Sequence, residues 1–464
     1  MVHIRKYDFD YSKRHFMEKT AKGFGTAGVL GALWPIAAQS GSIQKAYPDE
    51  LLSIEAYTKG KVKTGDWIDK ENIELVQDLV DPALYRQVTQ DGRKFQIQPT
   101  TLEVDKMYPH EFLEATQNNE GRAKLDEVGN TWTDDGSQWI GGLPFPNAQN
   151  GVEVISNMTL SWGRHDQSMY AVLADAVNAE GDIVYNYKLV WAEQASTGRV
   201  SDPNGTELTG GRGDGIMRYQ STWFTAPNDV KGTAFLSVWA YDQRKFPDLY
   251  GYLPAFKRVR RFPTNQRFEP LVAGLNFYLS DAWAAGDPYL TWGNYKIVAR
   301  QPYLGSSGNG WMGEHEDWVP DTHGGAKDDT YYTIRKELIP EVIILEAEPT
   351  GFPRAPYSKK RVYVDARNMV FPQMLTYDRR GEMFKAGEPG FGQYKFGDRV
   401  VMDGSHPAWS WTWYHSHDLQ GNTMSRFCQT QSVEGGYASE YNVDTGDEFY
   451  ASYMTSSAMR RLGT

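Results

Sequence analysis

The sequence of 464 residues contains a single cysteine, Cys428. The chain therefore cannot form an internal disulfide, and a lipid anchor, which needs a cysteine directly after the apolar part of an export signal, is not expected. Beyond residue 38, no uncharged apolar run approaches the roughly 18–20 residues that a membrane-spanning helix needs. The chain also lacks the consensus loops for phosphate binding and for a serine nucleophile. These absences point away from nucleotide and serine-esterase chemistry.

Basic charge is scarce as well. The chain has 48 Lys and Arg against 59 Asp and Glu, a formal net charge of −11. Six of these bases and three of these acids lie in residues 1–38, so the remainder carries 42 against 56, a net charge of −14. This balance argues against nucleic acid as a partner and against general adhesion to anionic lipid.

Aromatic residues are abundant. They make up 14% of the chain, with 15 Trp and 28 Tyr, and apolar residues make up 40%. Such a composition can bury a large core and excludes disorder for most of the chain.

The first 38 residues resemble an export signal. Residues 1–22 carry six cations, and residues 24–38 form a mildly apolar, Gly- and Ala-rich stretch. Residues 12–17 (S-K-R-H-F-M) are close to the twin-arginine consensus S-R-R-x-F-L, although Lys13 replaces its first arginine. We predict export to the periplasm, by the twin-arginine or the general route. The alternative is a disordered basic tail.

The pattern of the remaining chain predicts one domain, residues 39–464, of the α+β class and mainly β. Its first part, residues 39–165, mixes loops with helices, including an amphipathic helix at 71–80 and another that begins at Asn150 with capping-box spacing to Glu153. Residues 301–328 have no periodicity and predict a long loop or lid. Strands are predicted at 169–177, 183–191, 216–224, 233–241, 329–337, 341–348, 361–366 and 369–377.

Several of these strands are apolar on both faces. In residues 233–241, Ala234, Leu236 and Val238 alternate with Phe235 and Trp239. A strand of this kind needs a cover on each side. We therefore expect one large, strongly curved antiparallel sheet with helices on its concave side.

A run of aromatic residues near the end of the chain is the most unusual local pattern. In residues 409–418, a period of two predicts that Trp409, Trp411, Trp413, His415 and His417 share one face of a strand. These indoles are expected either to pack as ordinary core or to line a cavity for a hydrophobic ligand. The aromatic residues predicted to line such a cavity are Tyr185, Tyr187, Trp191, Phe235, Trp239, Tyr241, Trp409, Trp411 and Trp413.

His415 and His417 are weak candidates for a metal site. A catalytic zinc usually has three protein ligands and one open position. The spacing fixes no third ligand, so a metal-dependent hydrolase stays a minor alternative and no cofactor is predicted. The residues considered as third ligand are His406, Glu314, His315, Glu316, His323 and Asp418.

Four cations follow a proline-marked corner at Pro254. Lys257, Arg258, Arg260 and Arg261 form either a solvated strand that pairs with nearby carboxylates or a contact surface for an acidic partner or a lipid headgroup.

Two segments carry a family resemblance. Residues 248–262, with their Y-L-P-x-x-K-R-V-R-R pattern, and residues 377–381, with Y-D-x-x-G, resemble bacterial outer-membrane lipoprotein-sorting-like proteins, the relatives of LolA and LolB. Residues 140–146, 150–151 and 418–420 also resemble the longer bacterial family catalogued as domain of unknown function 1329. The resemblance implies a half-barrel fold that holds acyl chains in the periplasm.

The function predicted from these observations is a soluble, non-catalytic periplasmic carrier for a lipid, a lipoprotein acyl chain or another apolar molecule. The resemblance further implies an RND-type inner-membrane transporter and an outer-membrane barrel protein as partners. The alternative is an adaptor subunit of an envelope transport complex, with a groove filled by its own side chains.

Overall fold

The computed structural model describes residues 40–202, 205–263, 267–307, 316–396 and 398–463. The predicted export signal lies outside these ranges and stays a prediction. No helix in the described ranges combines the length and the apolar character that a bilayer crossing requires. The α-helices are α1 (Ile54–Tyr57), α2 (Pro82–Gln90), α3 (His110–Asn118), α4 (Gly151–Leu160), α5 (Gly446–Tyr453) and α6 (Ser456–Leu462). Short 3-10 helices span Asp49–Leu51, Ile73–Leu79, Val104–Lys106, Pro254–Phe256, Leu279–Ala284, Tyr289–Thr291 and Glu316–Trp318.

Strands dominate the rest of the described chain. The first half contains β1 (Trp67–Ile68), β2 (Phe95–Ile97), β3 (Ala123–Leu125), β4 (Thr131–Thr133), β5 (Gln167–Val177), β6 (Ile183–Ala195), β7 (Ile216–Ala226), β8 (Ala234–Ala240), β9 (Asp248–Leu253) and β10 (Arg258–Phe262). The second half contains β11 (Gly293–Gly305), β12 (Thr322–His323), β13 (Tyr331–Tyr332), β14 (Arg335–Glu348), β15 (Tyr357–Asp365), β16 (Gln373–Asp378), β17 (Met383–Gln393), β18 (Lys395–Phe396), β19 (Arg399–Val400), β20 (Met402–Asp403), β21 (His406–Pro407), β22 (Trp409–Asp418), β23 (Thr423–Gln429), β24 (Ser432–Val433), β25 (Tyr437–Ala438) and β26 (Glu440–Tyr441).

One sheet of 16 strands organises the molecule. Its order is β1-β2-β14-β15-β16-β17-β22-β23-β5-β6-β7-β8-β9-β10, with β11 paired to β14 and β26 paired to β5. Its pairs are antiparallel, except that β2 runs parallel to β14. Within the described residues the two ends of this order do not meet, so the sheet is open. The predicted fold class, mainly β with a large antiparallel sheet, is confirmed.

Helix α4 shows how strongly the sheet curves. At its start, a Cβ on Gly151 would meet Leu345 of β14 at 2.9 Å. Near its end, the carbonyl of Thr159 accepts a hydrogen bond of 2.7 Å from Arg218 of β7. Strands β14 and β7 are eight steps apart in the sheet order, about 38 Å on a flat sheet, whereas residues 151–159 of a helix span about 12 Å. The sheet therefore bends around α4, and we call the side that holds α4 the inner face.

Both faces of the sheet are covered. Buried residues of α4, including Val154 and Ile155, share one apolar cluster with inner-face residues such as Leu345. On the outer face, Ala234 and Leu236 of β8 share a cluster with Met459 of α6. These two layers explain the strands that are apolar on both sides, as the sequence predicted.

The start of α4 is also as predicted. The side chain of Asn150 accepts hydrogen bonds of 3.0 Å from the backbone N–H groups of Val152 and Glu153, which satisfies two donors that the helix leaves unpaired. Glu153 in turn accepts a bond of 2.6 Å from the backbone of Gln149. This cap fixes the point at which the chain turns into the concave face.

Four predicted elements differ in the structure. The helix predicted at 71–80 is the 3-10 helix Ile73–Leu79. The strand predicted at 341–348 begins earlier, because β14 runs from Arg335 through Pro340 and includes the end of the strand predicted at 329–337. Tyr331 and Tyr332 of that predicted strand form β13 instead. The predicted lid at 301–328 is wrong for its first five residues, because they belong to β11 and pair with β14.

Candidate ligand cavity on the inner face

A β-bulge divides the tryptophan-rich strand β22 between the two faces of the sheet. Phe391 of β17 lies opposite Trp411, and the next residue, Gly390, lies opposite Trp413, so Thr412 is an extra residue. An extra residue reverses the alternation of side chains beyond it. The prediction that all five side chains share one face is therefore wrong. Trp409 and Trp411 lie on the inner face, whereas Trp413, His415 and His417 lie on the outer face.

The inner face carries a small, partly open apolar cavity of about 50 Å³ next to the end of α4. One wall is the sheet, where the rings of Trp409 and Phe391 stack at 5.5 Å with an angle of 9°. The opposite wall is the last turn of α4 and the residues that follow it. The lining residues are Met158, Ser161, Trp162, Gly163, Arg164, Met369, Val370, Phe371, Phe391, Trp409, Ser410 and Trp411.

Arg164 is the one charged residue of this lining. It is 6% exposed, and its guanidinium carbon lies 5.3–5.4 Å from the ring centres of Tyr108, Phe112 and Trp409. Nη2 donates to the carbonyl of Asn368, whereas Nη1 is buried without a hydrogen-bond partner. Burial lowers the pKa of the guanidinium to about 10, so Arg164 stays charged at neutral pH.

The turn after α4 aims Arg164 into the cavity. Gly163 and Arg164 both have left-handed backbone angles, with φ of 72° and 61°. For arginine this conformation is costly, of the order of 1 kcal/mol or more. At Gly163 a Cβ would lie 2.7 Å from a carboxylate oxygen of Glu193, so only glycine fits there comfortably.

The other predicted aromatic residues lie outside this cavity. Tyr185 and Tyr187 stack on the inner face at 5.6 Å, and Tyr187 donates to the carbonyl of Ala273. Trp191 donates to Glu193 at 2.7 Å. Tyr187 belongs to the core at the far side of the inner face, Trp191 and Phe235 pack against this core, and Tyr185 is 37% exposed.

Trp239 and Tyr241 lie near a second buried arginine. The guanidinium carbon of Arg218 is 4.1 Å from the ring centre of Trp162 and 4.3 Å from that of Trp239. Burial lowers the pKa of Arg218 to about 9, while the charge of Glu193 raises it. Tyr241 donates to the carbonyl of Thr131 at 2.5 Å and closes the neighbouring loop.

Sequence reasoning missed both buried arginines. A weak signal exists for each: Arg164 directly follows a Gly after an apolar helix, and Arg218 takes an inner-face position in a strand that is otherwise buried. Neither signal identifies the rings that surround the charge, because these rings come from distant parts of the chain.

The histidine pair belongs to a polar layer on the outer face. His417 Nδ1 lies 2.9 Å from Gln87 Nε2, and His415 Nε2 accepts from the backbone of Tyr332 at 3.2 Å. Burial lowers the pKa of His415 well below its usual value and that of His417 to about 4, and Arg93 adds to both shifts. Both rings are therefore neutral at pH 7.

The candidate third ligands that the structure describes do not join this histidine pair. His323 Nε2 accepts from the backbone of Lys94 at 3.0 Å, His406 stacks on His110 at 3.6 Å, and Asp418 accepts from the turn that follows it. Glu314 and His315 lie outside the described residues, as does the side chain of Glu316. Among the described residues, no group of three metal-ligating side chains is present.

A buried ion cluster lies beside the histidines. Glu388 of β17 is 2.6 Å from Arg93 and also pairs with Lys336 of β14. All three side chains are at most 3% exposed. The two cations hold the pKa of Glu388 below its usual value although burial opposes them.

A larger cleft of about 440 Å³ opens next to this polar layer, but its walls are turns. They include Asp91, Asp328 and Asn422, and the cleft reaches Tyr331 and His417. Such a lining offers little apolar surface to a hydrophobic ligand. The smaller inner cavity is therefore the better candidate for an apolar ligand.

The predicted basic patch forms the hairpin β9–β10 at one end of the sheet order. Arg260 lies 4.7 Å over the ring of Phe256, which is 53% exposed at the hairpin tip. Arg261 pairs with Asp248 of the adjacent strand. Lys257 is an exposed residue in the left-handed conformation, and Arg258 is exposed beside it. The hairpin thus carries a solvent-facing set of cations around one exposed aromatic ring.

Comparison with known proteins gives one family. The model of the family described as "Protein of unknown function (DUF1329)" matches residues 67–460. Among proteins with curated descriptions, none matches the chain.

Several solved structures are similar at low identity. A DUF1329 family protein from Desulfovibrio piger has 16% identity and a TM-score of 0.42, over 67% of this chain and 97% of its own. A domain from Vibrio parahaemolyticus, provisionally described as an outer membrane lipoprotein-sorting protein, has 16% identity and a TM-score of 0.39 over the same shares. A LolA superfamily protein from Nitrosomonas europaea has 13% identity and a TM-score of 0.30, over 62% of this chain and 96% of its own.

Proposed function

The chain belongs to the DUF1329 family, and we propose that it is a non-catalytic carrier that holds an apolar molecule on the inner face of its sheet. The observation that carries this proposal is the apolar cavity between the end of α4 and the rings of Trp409 and Phe391. Its cover is a short turn rather than a second sheet, so a modest movement would expose the aromatic wall.

The cavity volume sets a requirement on loading. About 50 Å³ is the space of one or two water molecules, whereas binding sites for organic ligands occupy about 300–1,000 Å³. An acyl chain can therefore enter only if α4 and the turn at Gly163 move away from the sheet. Burial of each CH₂ stabilises the complex by about 0.8 kcal/mol, and this gain offsets the exposure of the apolar residues of α4.

The proposed setting is the periplasm, between an RND-type inner-membrane transporter and an outer-membrane barrel protein. Support for a docking role comes from the hairpin β9–β10, where exposed cations and Phe256 face solvent in a chain of net negative charge. Such a surface suits an acidic partner or an anionic headgroup.

The first test is native mass spectrometry, with lipid extraction, of the protein purified from its own periplasm. We expect an apolar molecule near one per chain, and we expect the emptied protein to take up a fluorescent fatty acid. A protein that is empty on purification and takes up no fatty acid would contradict the proposal.

Trp409 and Trp413 provide a matched pair for this test. Both lie on β22 and are 2% and 3% exposed, but the bulge places them on opposite faces. Each alanine variant is expected to lose about 3–5 kcal/mol of stability. Only Trp409→Ala should change the affinity for the fatty acid, since only Trp409 lines the cavity. Equal changes in affinity would show that the ligand lies elsewhere.

A second candidate function is a structural adaptor. The observation that favours it is the concave face itself, which α4 fills with Val154, Ile155 and Met158. An adaptor would bind partner proteins through the hairpin β9–β10 and leave this packing intact. Protection of α4 amides from hydrogen exchange, unchanged by an excess of fatty acid, would favour the adaptor over the carrier.

A further inference from the structure

We propose that the apolar ligand of this cavity carries a carboxylate, and that Arg164 binds it. This inference rests on the proposed carrier function and narrows it to a class of ligand, the acyl chain with a free acid.

The charge of Arg164 is buried without a carboxylate of its own. Among the described residues, the close contacts of Arg164 are aromatic rings and the carbonyl of Asn368, and it forms no ion pair with an Asp or Glu. Asp365 acts on it from farther away, but this carboxylate is engaged by Arg367 at 2.7 Å. Three aromatic faces and one carbonyl are a weak substitute, because a buried charge is stabilised mainly by pairing. The site therefore favours an incoming anion.

The cavity also offers hydrogen-bond donors that the protein does not use. Arg164 Nη1 and Trp409 Nε1 are both buried without a partner, and both residues line the cavity. A carboxylate has two oxygens that accept hydrogen bonds, and bonds to a charged donor are the stronger ones. A volume of about 50 Å³ suits such a small head better than a phosphate ester. The apolar rings around it suit the first carbons of the chain.

Arg218 is a second buried arginine on the same face, and its Nε and Nη2 also lack partners. It lies between aromatic rings, but the small cavity that it lines also contains Glu193, whose negative charge would oppose an incoming anion. The lining of the cavity at Arg164 contains no carboxylate. This difference favours Arg164 over Arg218 as the site for the carboxylate.

The test compares a saturated fatty acid with the alcohol and the alkyl phosphate of the same chain length, each displacing a neutral fluorescent alkyl probe at pH 7.5. We expect the acid to bind at least about tenfold more tightly than the alcohol, as a hydrogen bond to a charged group supports. Arg164→Gln should remove this preference, so that the variant binds the acid and the alcohol with equal affinity.

Trp409→Phe is the second variant, because it keeps a ring in the wall and removes only the N–H. It should reduce the preference for the acid over the alcohol severalfold. This variant keeps the proposal testable if Arg164→Gln fails to fold, which circular dichroism would show.

The other possible outcomes decide between the carboxylate, a phosphate and the carrier function as a whole. Equal affinity for the acid and the alcohol would contradict the proposal that the ligand carries a carboxylate, but it would remain consistent with the carrier function. Tighter binding of the alkyl phosphate than of the acid would show that the site prefers a phosphate group to a carboxylate. If none of the three ligands binds and the probe itself is not taken up, the carrier function fails and the carboxylate with it.

Discussion

Arg93 and Arg164 are buried to a similar degree, on opposite faces of the same sheet, and their surroundings differ. Arg93 is paired with Glu388 at 2.6 Å and bonds Gln87 as well. Arg164 has aromatic rings, one carbonyl and an unpaired nitrogen beside a cavity. Nε and Nη2 of Arg93 also lack partners, but Arg93 has a carboxylate partner in Glu388, whereas Arg164 has no ion-pair partner among the described residues. The comparison suggests that the outer face serves stability and that the inner face is kept available for a ligand.

Deletion of Thr412 should have the largest effect on this division of faces. Without the extra residue, one half of β22 would have to turn its side chains to the wrong face, so the variant should fail to reach the native fold. Near-ultraviolet circular dichroism and solubility measure this outcome. Thr412→Ala is the control: it keeps the bulge and removes a hydroxyl that is buried without a partner, so its melting temperature should match the wild type or exceed it.

Removal of one charge from each face compares the two arginine sites directly. Glu388→Ala leaves Arg93 and Lys336 without their shared carboxylate, which should cost about 3–5 kcal/mol. Arg164→Met removes an incomplete buried charge and keeps the volume, so its stability should stay within about 1 kcal/mol of the wild type. The midpoints of urea unfolding measure the change in stability of both variants. A larger loss for Arg164→Met than for Glu388→Ala would show that the inner charge is structural.

The outer histidines make stability depend on pH. The pKa of His417 is lowered by burial to about 4, so between that value and about 6.5 the unfolded chain binds a proton that the folded chain does not. Stability therefore falls with decreasing pH in this window, by at most about 1.4 kcal/mol per pH unit for one histidine.

The variant His417→Gln isolates this contribution. Glu341, whose pKa burial raises to about 7, acts in the opposite direction over part of the same window, so the wild-type profile alone does not identify the histidine. The difference between wild type and His417→Gln, from unfolding midpoints at pH 7, 6 and 5, should narrow as the pH falls. A constant difference would contradict the assignment.

The smallest effect on stability is expected at the cations of the hairpin β9–β10, whose side chains are exposed to solvent. Arg258→Glu with Arg260→Glu changes two exposed side chains and should leave the melting temperature within about 2 °C of the wild type. Co-sedimentation with vesicles that contain phosphatidylglycerol should nevertheless fall, since each cation near an anionic surface contributes about 1 kcal/mol. Unchanged co-sedimentation would indicate that this surface binds a protein partner and not an anionic lipid.

The main strands could be predicted from the sequence because an alternation with period two is a local property. The pairs β5–β6 and β7–β8 start and end within a few residues of the predicted positions. The family was likewise identified from short motifs, and the match over residues 67–460 confirms it.

The faces of β22 could not be predicted, because the bulge depends on a partner strand that lies elsewhere in the chain. At Gly390 a Cβ would lie 2.2 Å from Trp413 Nε1, so a glycine on β17 is what leaves room for this indole. Arg164 was missed for a similar reason: Tyr108 and Trp409, which hold its guanidinium, are close to it only in the folded protein.

The position of α4 has a mechanical consequence. The helix contacts β14 at its first residue and β7 at its last turn, and so acts as a strut between two distant parts of one continuous sheet. Withdrawal of the strut would let the sheet relax toward a flatter shape. A force that spreads these two parts would in turn loosen the strut. In the proposed carrier, the binding of a ligand would therefore be coupled to the curvature of the sheet through this helix.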